Sequence, residues 1–110
     1  MESSLDRTLG ALADPTRRSV IELLREGPRR ASELAAALHM TRPAMSRHLR
    51  LLRHSGLVTE NDLAGDARVR MYRLEPARFS ELRAWLQEVE AFRSDQLQAF
   101  RAHAEARKLR

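Results

Sequence analysis

With 110 residues and 43% hydrophobic content, the chain has material for one modest core, and a second domain does not fit. It contains no cysteine, which excludes disulfides, thiolate metal sites and a cysteine nucleophile together. The formal charge of +5 is carried almost wholly by arginine, Lys108 being the only lysine, and this favours a polyanionic partner with planar groups such as phosphate or guanine.

The N-terminal MESSLDRTLGAL has no basic region leading into an apolar run, and no stretch approaches the roughly 18 apolar residues of a membrane span. A soluble, cytoplasmic protein is expected. Chains of this size bury only about two-thirds of their unfolded surface, so an element left without a partner finds one on another subunit.

In chain order, Leu5, Leu9 and Leu12 recur at helical spacing behind Ser3 and Ser4, predicting a first helix over about residues 4–13. Asp14-Pro15 joins a capping carboxylate to a proline at the first helical position and opens a second helix, buried through Val20, Ile21 and Leu24. Gly27-Pro28 closes it. A short third helix is expected over about 32–38, with Leu34, Ala35 and Leu38 inward, and His39-Met40-Thr41 makes the turn. Thr41 caps a fourth helix over about 42–54, Pro43 lies within its first turn, and Gly56 stands where a left-handed residue would end it. Leu57, Val58 and Thr59, then Val69, Met71 and Tyr72, have strand character, and LAGDA between them supplies a turn, so a hairpin is expected over about 57–74. Beyond Pro76, the residues Phe79, Leu82, Trp85, Leu86, Val89, Phe92, Leu97 and Phe100 keep a helical period, predicting a last helix over about 77–107.

The expected class is mostly α with a β-hairpin, arranged as a single winged helix-turn-helix domain over residues 1–110. In the fourth helix Met45, Leu49 and Leu52 form the row that packs inward, which leaves Arg42, Pro43, Ser46, Arg47, Arg50 and Arg53 outward. The second helix of such a unit can enter the major groove of double-stranded DNA. Arginines there can take guanine O6 and N7 or grip phosphate, and Thr41 and Ser46 can bond phosphate oxygens or base edges. Arg68 and Arg70 near the hairpin turn give a wing that could reach phosphates or the adjacent minor groove.

Several residues invite plainer readings. His48 adjoins the inward row and is expected to be partly buried and hydrogen-bonded rather than a ligand or base, while His39 and His54 are expected at the surface. Trp85 and the phenylalanines of the last helix read as packing residues. No enzyme is expected: there is no glycine-rich phosphate loop, and Ser46 and His48, two apart on a helix, diverge. No cofactor is implied.

The run ALADPTRRSVIELL, then ELAAALHMTRPAMSRHLRLLRHSGLV, then GDARVRMYRLEP, resembles the winged-helix repressors of the ArsR type over nearly the whole chain. The resemblance implies a homodimeric bacterial transcription regulator, repressing its own or a neighbouring operon, whose subunits join through the first and last helices. Leu5, Leu9, Leu82, Trp85, Leu86, Val89, Phe92, Leu97 and Phe100 would then line the dimer interface. It also places Ser46, Arg47 and His48 in the recognition-helix motif and Arg68 and Arg70 in the wing.

The chain departs from the metal-sensing members. Where soft-metal sensors place cysteines at the start of the third helix, this chain has RRASELAA. The last helix, which carries aspartate–histidine sets in zinc, nickel or cobalt sensors, offers Asp95, His103 and Glu105 with a single histidine. The chain resembles instead the cysteine-free subgroup with DPTRR and a long arginine-rich last helix. Two alternatives stand beside a DNA-binding regulator: a winged-helix protein-interaction module, whose exposed helix face would be apolar or mixed, and a metal-responsive repressor using His103 with Asp95 or Glu105.

Overall fold

The computed structural model describes residues 2–108, in the order α1 (Ser4–Leu12), α2 (Pro15–Leu24), α3 (Ala31–Ala37), α4 (Arg42–His54), β1 (Val58–Leu63), β2 (Asp66–Leu74) and α5 (Pro76–Lys108). The chain divides into two compact units between Ser80 and Glu81.

In the first unit each helix is bounded by local chemistry. Ser3 and Asp6 form a reciprocal capping box at α1, with Asp6 N donating to Ser3 Oγ at 3.1 Å and Ser3 N to Asp6 Oδ2 at 3.3 Å. The far end of α1 has no glycine cap. Its terminal carbonyls accept instead from α2: Arg17 Nε donates to Ala11 O at 2.7 Å, Arg17 Nη2 to Gly10 O at 3.3 Å and Arg18 Nη1 to Leu12 O at 2.7 Å. Guanidinium groups at a helix C-terminus satisfy orphan carbonyls and oppose the negative end of the dipole, so the two arginines of DPTRR join α1 to α2. Asp14 caps α2 by accepting from Thr16 N at 2.7 Å and Arg17 N at 3.2 Å.

The helices that frame the turn end alike. After α3, His39 N donates to Ala36 O at 3.3 Å and Met40 N to Ala35 O at 2.9 Å. After α4, Gly56 N donates to Arg53 O at 3.0 Å and Leu57 N to Leu52 O at 3.1 Å. Both are Schellman closures around a left-handed residue, His39 at φ 55° and Gly56 at φ 82°. Gly56 is required twice over, because a Cβ there would also lie 3.0 Å from Arg78 Cγ.

β1 and β2 pair antiparallel from Val58↔Leu74 to Asp62↔Arg70, with an irregularity before Leu63↔Asp66. The two turn residues, Ala64 and Gly65, both have positive φ, the conformation that suits the twist of a tight hairpin. The strands run further toward the turn than residue preference alone indicates, since Glu60, Asn61 and Asp62 are weak strand formers. Charges facing one another across the ladder support their pairing. A short extra bridge joins Arg29 to Tyr72, with Arg29 N donating to Tyr72 O at 3.0 Å and Tyr72 N to Arg29 O at 2.8 Å. The sequence alone predicts only a helix end there.

The core lies under the helix-turn-helix. Val20, Leu34, Met45, Leu49, Leu52, Leu57 and Val58 are essentially inaccessible, with Tyr72, Leu74 and Phe79 packed at the margin. At roughly 1.5–3 kcal/mol per fully buried aliphatic side chain, the α4 row alone contributes several kcal/mol to holding that helix in place.

The second unit is the remainder of α5, and α5 has no fully buried residue. Trp85, Leu86, Val89, Phe92, Leu97 and Phe100 are all exposed large apolar side chains, and Phe100 reaches 72%. Leu82 is half-buried.

Candidate nucleic-acid interface

The inward row Met45, Leu49 and Leu52 fixes which face of α4 is offered outward, because residues on one helical stripe share a direction. Thr41 Oγ1 accepts from Ala44 N at 3.3 Å, so the cap that starts the helix also brings an exposed hydroxyl to its outer end. Arg42, Ser46, Arg47 and Arg50 are exposed. Among the described residues, the guanidinium groups of Arg42, Arg47 and Arg50 have no carboxylate partner. They are three cations held on a rigid scaffold and open to solvent.

The remaining basic candidates are placed differently. Arg53, in the last turn of α4, has Nη1 at 3.0 Å from Glu60 Oε2. Arg70 donates from Nε to Glu60 Oε1 and from Nη1 to Asp62 Oδ1 at 2.8 Å. Arg68 sits against Asp66, with Nε 3.2 Å from Oδ1, and its backbone N donates to the same oxygen at 3.0 Å. Both strands taken together carry Arg68, Arg70 and Arg73 against Glu60, Asp62 and Asp66. The hairpin is thus balanced in charge, where Arg68 and Arg70 taken alone predict a basic wing.

Glu60 is the least ordinary of these groups. Its side chain is only 8% exposed, and it receives Arg53, Arg70 and the Tyr72 hydroxyl. Burial by itself would raise its carboxyl, but the hydrogen bonds from Tyr72 and Arg70 and the two arginine charges outweigh that and hold it below the ordinary carboxylate value. The same contact raises Arg70 further above its already high value. Burial followed by the Glu60 contact likewise raises the Tyr72 phenol. Asp66 is lowered by the side-chain and backbone hydrogen bonds from Arg68.

His48 is half-buried, and its Nδ1 lies 3.4 Å from Arg17 Nη1. It thus belongs to the contact between α2 and α4 and not to the open arginine row. Arg17, whose side chain is 14% exposed, reaches Asp14, His48 and the end of α1 together. Burial opposes ionisation of Asp14, but the amides of Arg17 and Thr16 and the Arg17 charge prevail and lower its carboxyl. Nothing in the spacing of DPTRR marks Arg17 as the residue that touches α1, the α2 cap and His48 of α4 together.

One cleft of about 290 Å3 gathers Arg30, Ser32, Arg42, Ser46, Arg68 and Arg70 from the start of α3, the start of α4 and β2. Arg30 and Ser32 are not among the residues the sequence singles out, where RRASELAA matters only for its missing cysteines. Their signal is nevertheless there: the residues just before and at the start of the first helix of a helix-turn-helix lie where that helix crosses the nucleic-acid backbone. Of its four guanidinium groups Arg30 is paired with Glu33, Arg68 with Asp66 and Arg70 with Glu60 and Asp62, so Arg42, with the hydroxyls of Ser32 and Ser46, is the part of the cleft most open to a phosphodiester oxygen.

Asp95, His103 and Glu105 all lie exposed on α5. Eight residues of helix separate Asp95 from His103 by about 12 Å along the axis, and His103 and Glu105, two apart, diverge. Among the described residues no group of three or more His, Asp or Glu is placed to hold a metal ion, and no helix is long and apolar enough to cross a membrane.

Comparison with known proteins places this arrangement. The family described as "Bacterial regulatory protein, arsR family" matches residues 14–60, from the cap of α2 to the middle of β1. The HTH-type transcriptional regulator Rv2034 of Mycobacterium tuberculosis is 45% identical over 80 residues, 73% of this chain and 72% of that protein. The crystal structure of the ArsR family transcriptional regulator RHA00566 superposes with a TM-score of 0.74 at 35% identity, covering 83% of this chain and 91% of that one. A solution structure from Mycobacterium bovis, the homodimeric winged helix-turn-helix DNA-binding domain of Mb0332, superposes with a TM-score of 0.64 at 26% identity, covering 84% of this chain and 83% of that one.

Proposed function

The chain belongs to the ArsR family of bacterial regulatory proteins, and from that premise we propose that it is a homodimeric, sequence-specific DNA-binding transcriptional repressor whose α4 enters the major groove. The observation that carries the reading is the outer face of α4: Arg42, Arg47 and Arg50 exposed and, among the described residues, without carboxylate partners, on a helix locked from behind by Met45, Leu49 and Leu52. Arg47, one turn in from the cap, is the candidate for reading guanine. Thr41, Arg42, Ser46 and Arg50 serve the adjacent backbone or base edges, and Arg68 reaches a phosphate from the wing. Repression, as opposed to activation, rests on the resemblance to ArsR-type repressors.

Dimerisation is supported by the apolar side chains that α5 exposes and by Leu9, 39% exposed on α1, with half-buried Leu5 beside it in the same helix. Apolar side chains exposed along one helix mark a protein–protein contact, and a second subunit is the natural cover. The homodimer known for the Mb0332 domain agrees with this. A protein-interaction module would instead put apolar or mixed residues on the α4 face, which is cationic.

The test is footprinting of the purified protein on its own upstream region. A protected, roughly two-fold symmetric site with half-sites about one helical turn apart, 10–10.5 bp, is expected. Affinity for that region no better than for random duplex overturns the reading. Sedimentation at micromolar concentration checks the dimer, and deletion of the residues after Val89 should weaken self-association and operator binding together. A wild-type monomer would contradict it.

A further inference from the structure

The carboxylate of Glu60 stands between the two DNA-facing elements. It accepts from Arg53 at the end of α4 and from Arg70 on β2, with the Tyr72 hydroxyl as a third donor, and it is nearly withdrawn from solvent. For Arg53 or Arg70 to move to a phosphate, this carboxylate would have to stay behind in a poorly hydrated position with a partner missing. Both guanidinium groups are about half exposed, so the pairs are not themselves buried, but the carboxylate left behind is only 8% exposed, and stranding it poorly hydrated opposes the exchange. Arg68 is in the reverse situation: it is 91% exposed and its pair with Asp66 is a surface contact, which water replaces at little cost.

We propose that Glu60 is a positioning residue for DNA recognition: by holding Arg53 and Arg70 together it fixes the hairpin at the end of the recognition helix and withholds two cations from sequence-independent phosphate binding. This rests on the reading of α4 as the DNA-contacting helix. Phosphate contacts supply affinity for any sequence, whereas base contacts distinguish one sequence from another. A regulator with every arginine of α4 and the wing free would therefore bind random duplex more tightly without gaining equally on its operator. Glu60 thus takes two arginines of α4 and the wing out of that competition, leaving Arg42, Arg47 and Arg50 on the outer face of α4 and Arg68 as the exchangeable outer contact.

The test titrates the full-length wild type and Glu60→Gln against operator and random duplex over a salt series. Glutamine keeps the size and an acceptor oxygen but not the charge. Releasing one or both arginines should steepen the logarithmic salt dependence on random duplex by about 0.9 per arginine and subunit, raise affinity for it, and lower the operator-to-random ratio by about five- to tenfold at low salt. A Glu60 that only stabilises the fold would give a different result, weaker binding to both duplexes with an unchanged or shallower slope, and that result overturns the proposal. Arg53→Ala is the independent check: if Arg53 is withheld, the random-duplex slope stays within about 0.3 of wild type, and a fall of about 0.9 overturns the proposal. If wild type binds operator specifically and Glu60→Gln leaves the slope unmoved, only the role of Glu60 falls. If wild type prefers no duplex, the functional reading falls and this role with it.

Discussion

The recognition helix and the hairpin beside it both display arginine, yet they use it in opposite ways. α4 carries Arg42, Arg47, Arg50 and Arg53 with no carboxylate of its own, and among the described residues only Arg53 meets a carboxylate, from the next element. In the hairpin Arg68 and Arg70 are both paired to carboxylates of the same ribbon. A cation's value to a polyanion depends on what it must give up to get there, so a count of positive residues overstates the hairpin and describes α4 fairly. Rigidity differs in the same sense. α4 is anchored by a row of essentially inaccessible side chains, while the outer hairpin keeps its shape through ladder hydrogen bonds and ion pairs near solvent.

That contrast can be broken from its strongest side first. Leu49→Ala empties a position that is 1% exposed beneath the arginine row and should destabilise the fold by about 2–5 kcal/mol, measured by denaturant unfolding. A loss under about 1 kcal/mol would mean α4 is not anchored as described. Gly56→Ala acts where the helix passes into β1. A side chain must there adopt φ 82° and displace Arg78, so a loss of about 1–3 kcal/mol is expected, and wild-type stability would show that the junction is slack. Arg68→Ala should leave folding unchanged within about 0.5 kcal/mol but weaken operator and random duplex alike, lowering the salt slope by about 0.9 for each phosphate no longer neutralised. An effect confined to the operator would make Arg68 a reader of sequence. The smallest effect concerns acid. The Glu60 carboxyl is held below its ordinary value, so its stabilisation is complete above the unfolded-state value and disappears as pH falls through the folded-state value. Glu60→Gln should therefore flatten the decline of thermal stability as pH falls below about 5, and an unaltered acid limb would deny that Glu60 is ionised in its pairs.

Much of this architecture is legible in the chain. Thr41, the Met45, Leu49 and Leu52 row and Gly56 specify α4 because cap, period and stop are all local signals. α5 is legible for the same reason, its apolar period persisting for many turns. The pairing around Glu60 is not, since it depends on the register of β1 against β2 and on where α4 ends, both tertiary facts. A trace is nevertheless present: carboxylates at 60 and 62 and arginines at 68 and 70 recur at period two, so each pair shares a face of its strand. The Arg29–Tyr72 bridge leaves no such trace, because one residue pair after Gly27-Pro28 has no period to detect. Arg17 escapes for a related reason, as its contacts with α1 are to backbone carbonyls, which any sequence possesses.

Whether the unpaired arginines of α4 read the operator is tested most directly by Arg47→Ala titrated against operator and random duplex across one salt series. A loss of about 1–3 kcal/mol per half-site on the operator, with much less on random duplex, is the expected result. Equal losses on both duplexes would contradict it, making Arg47 a phosphate contact and leaving Arg42 or Ser46 to read the bases.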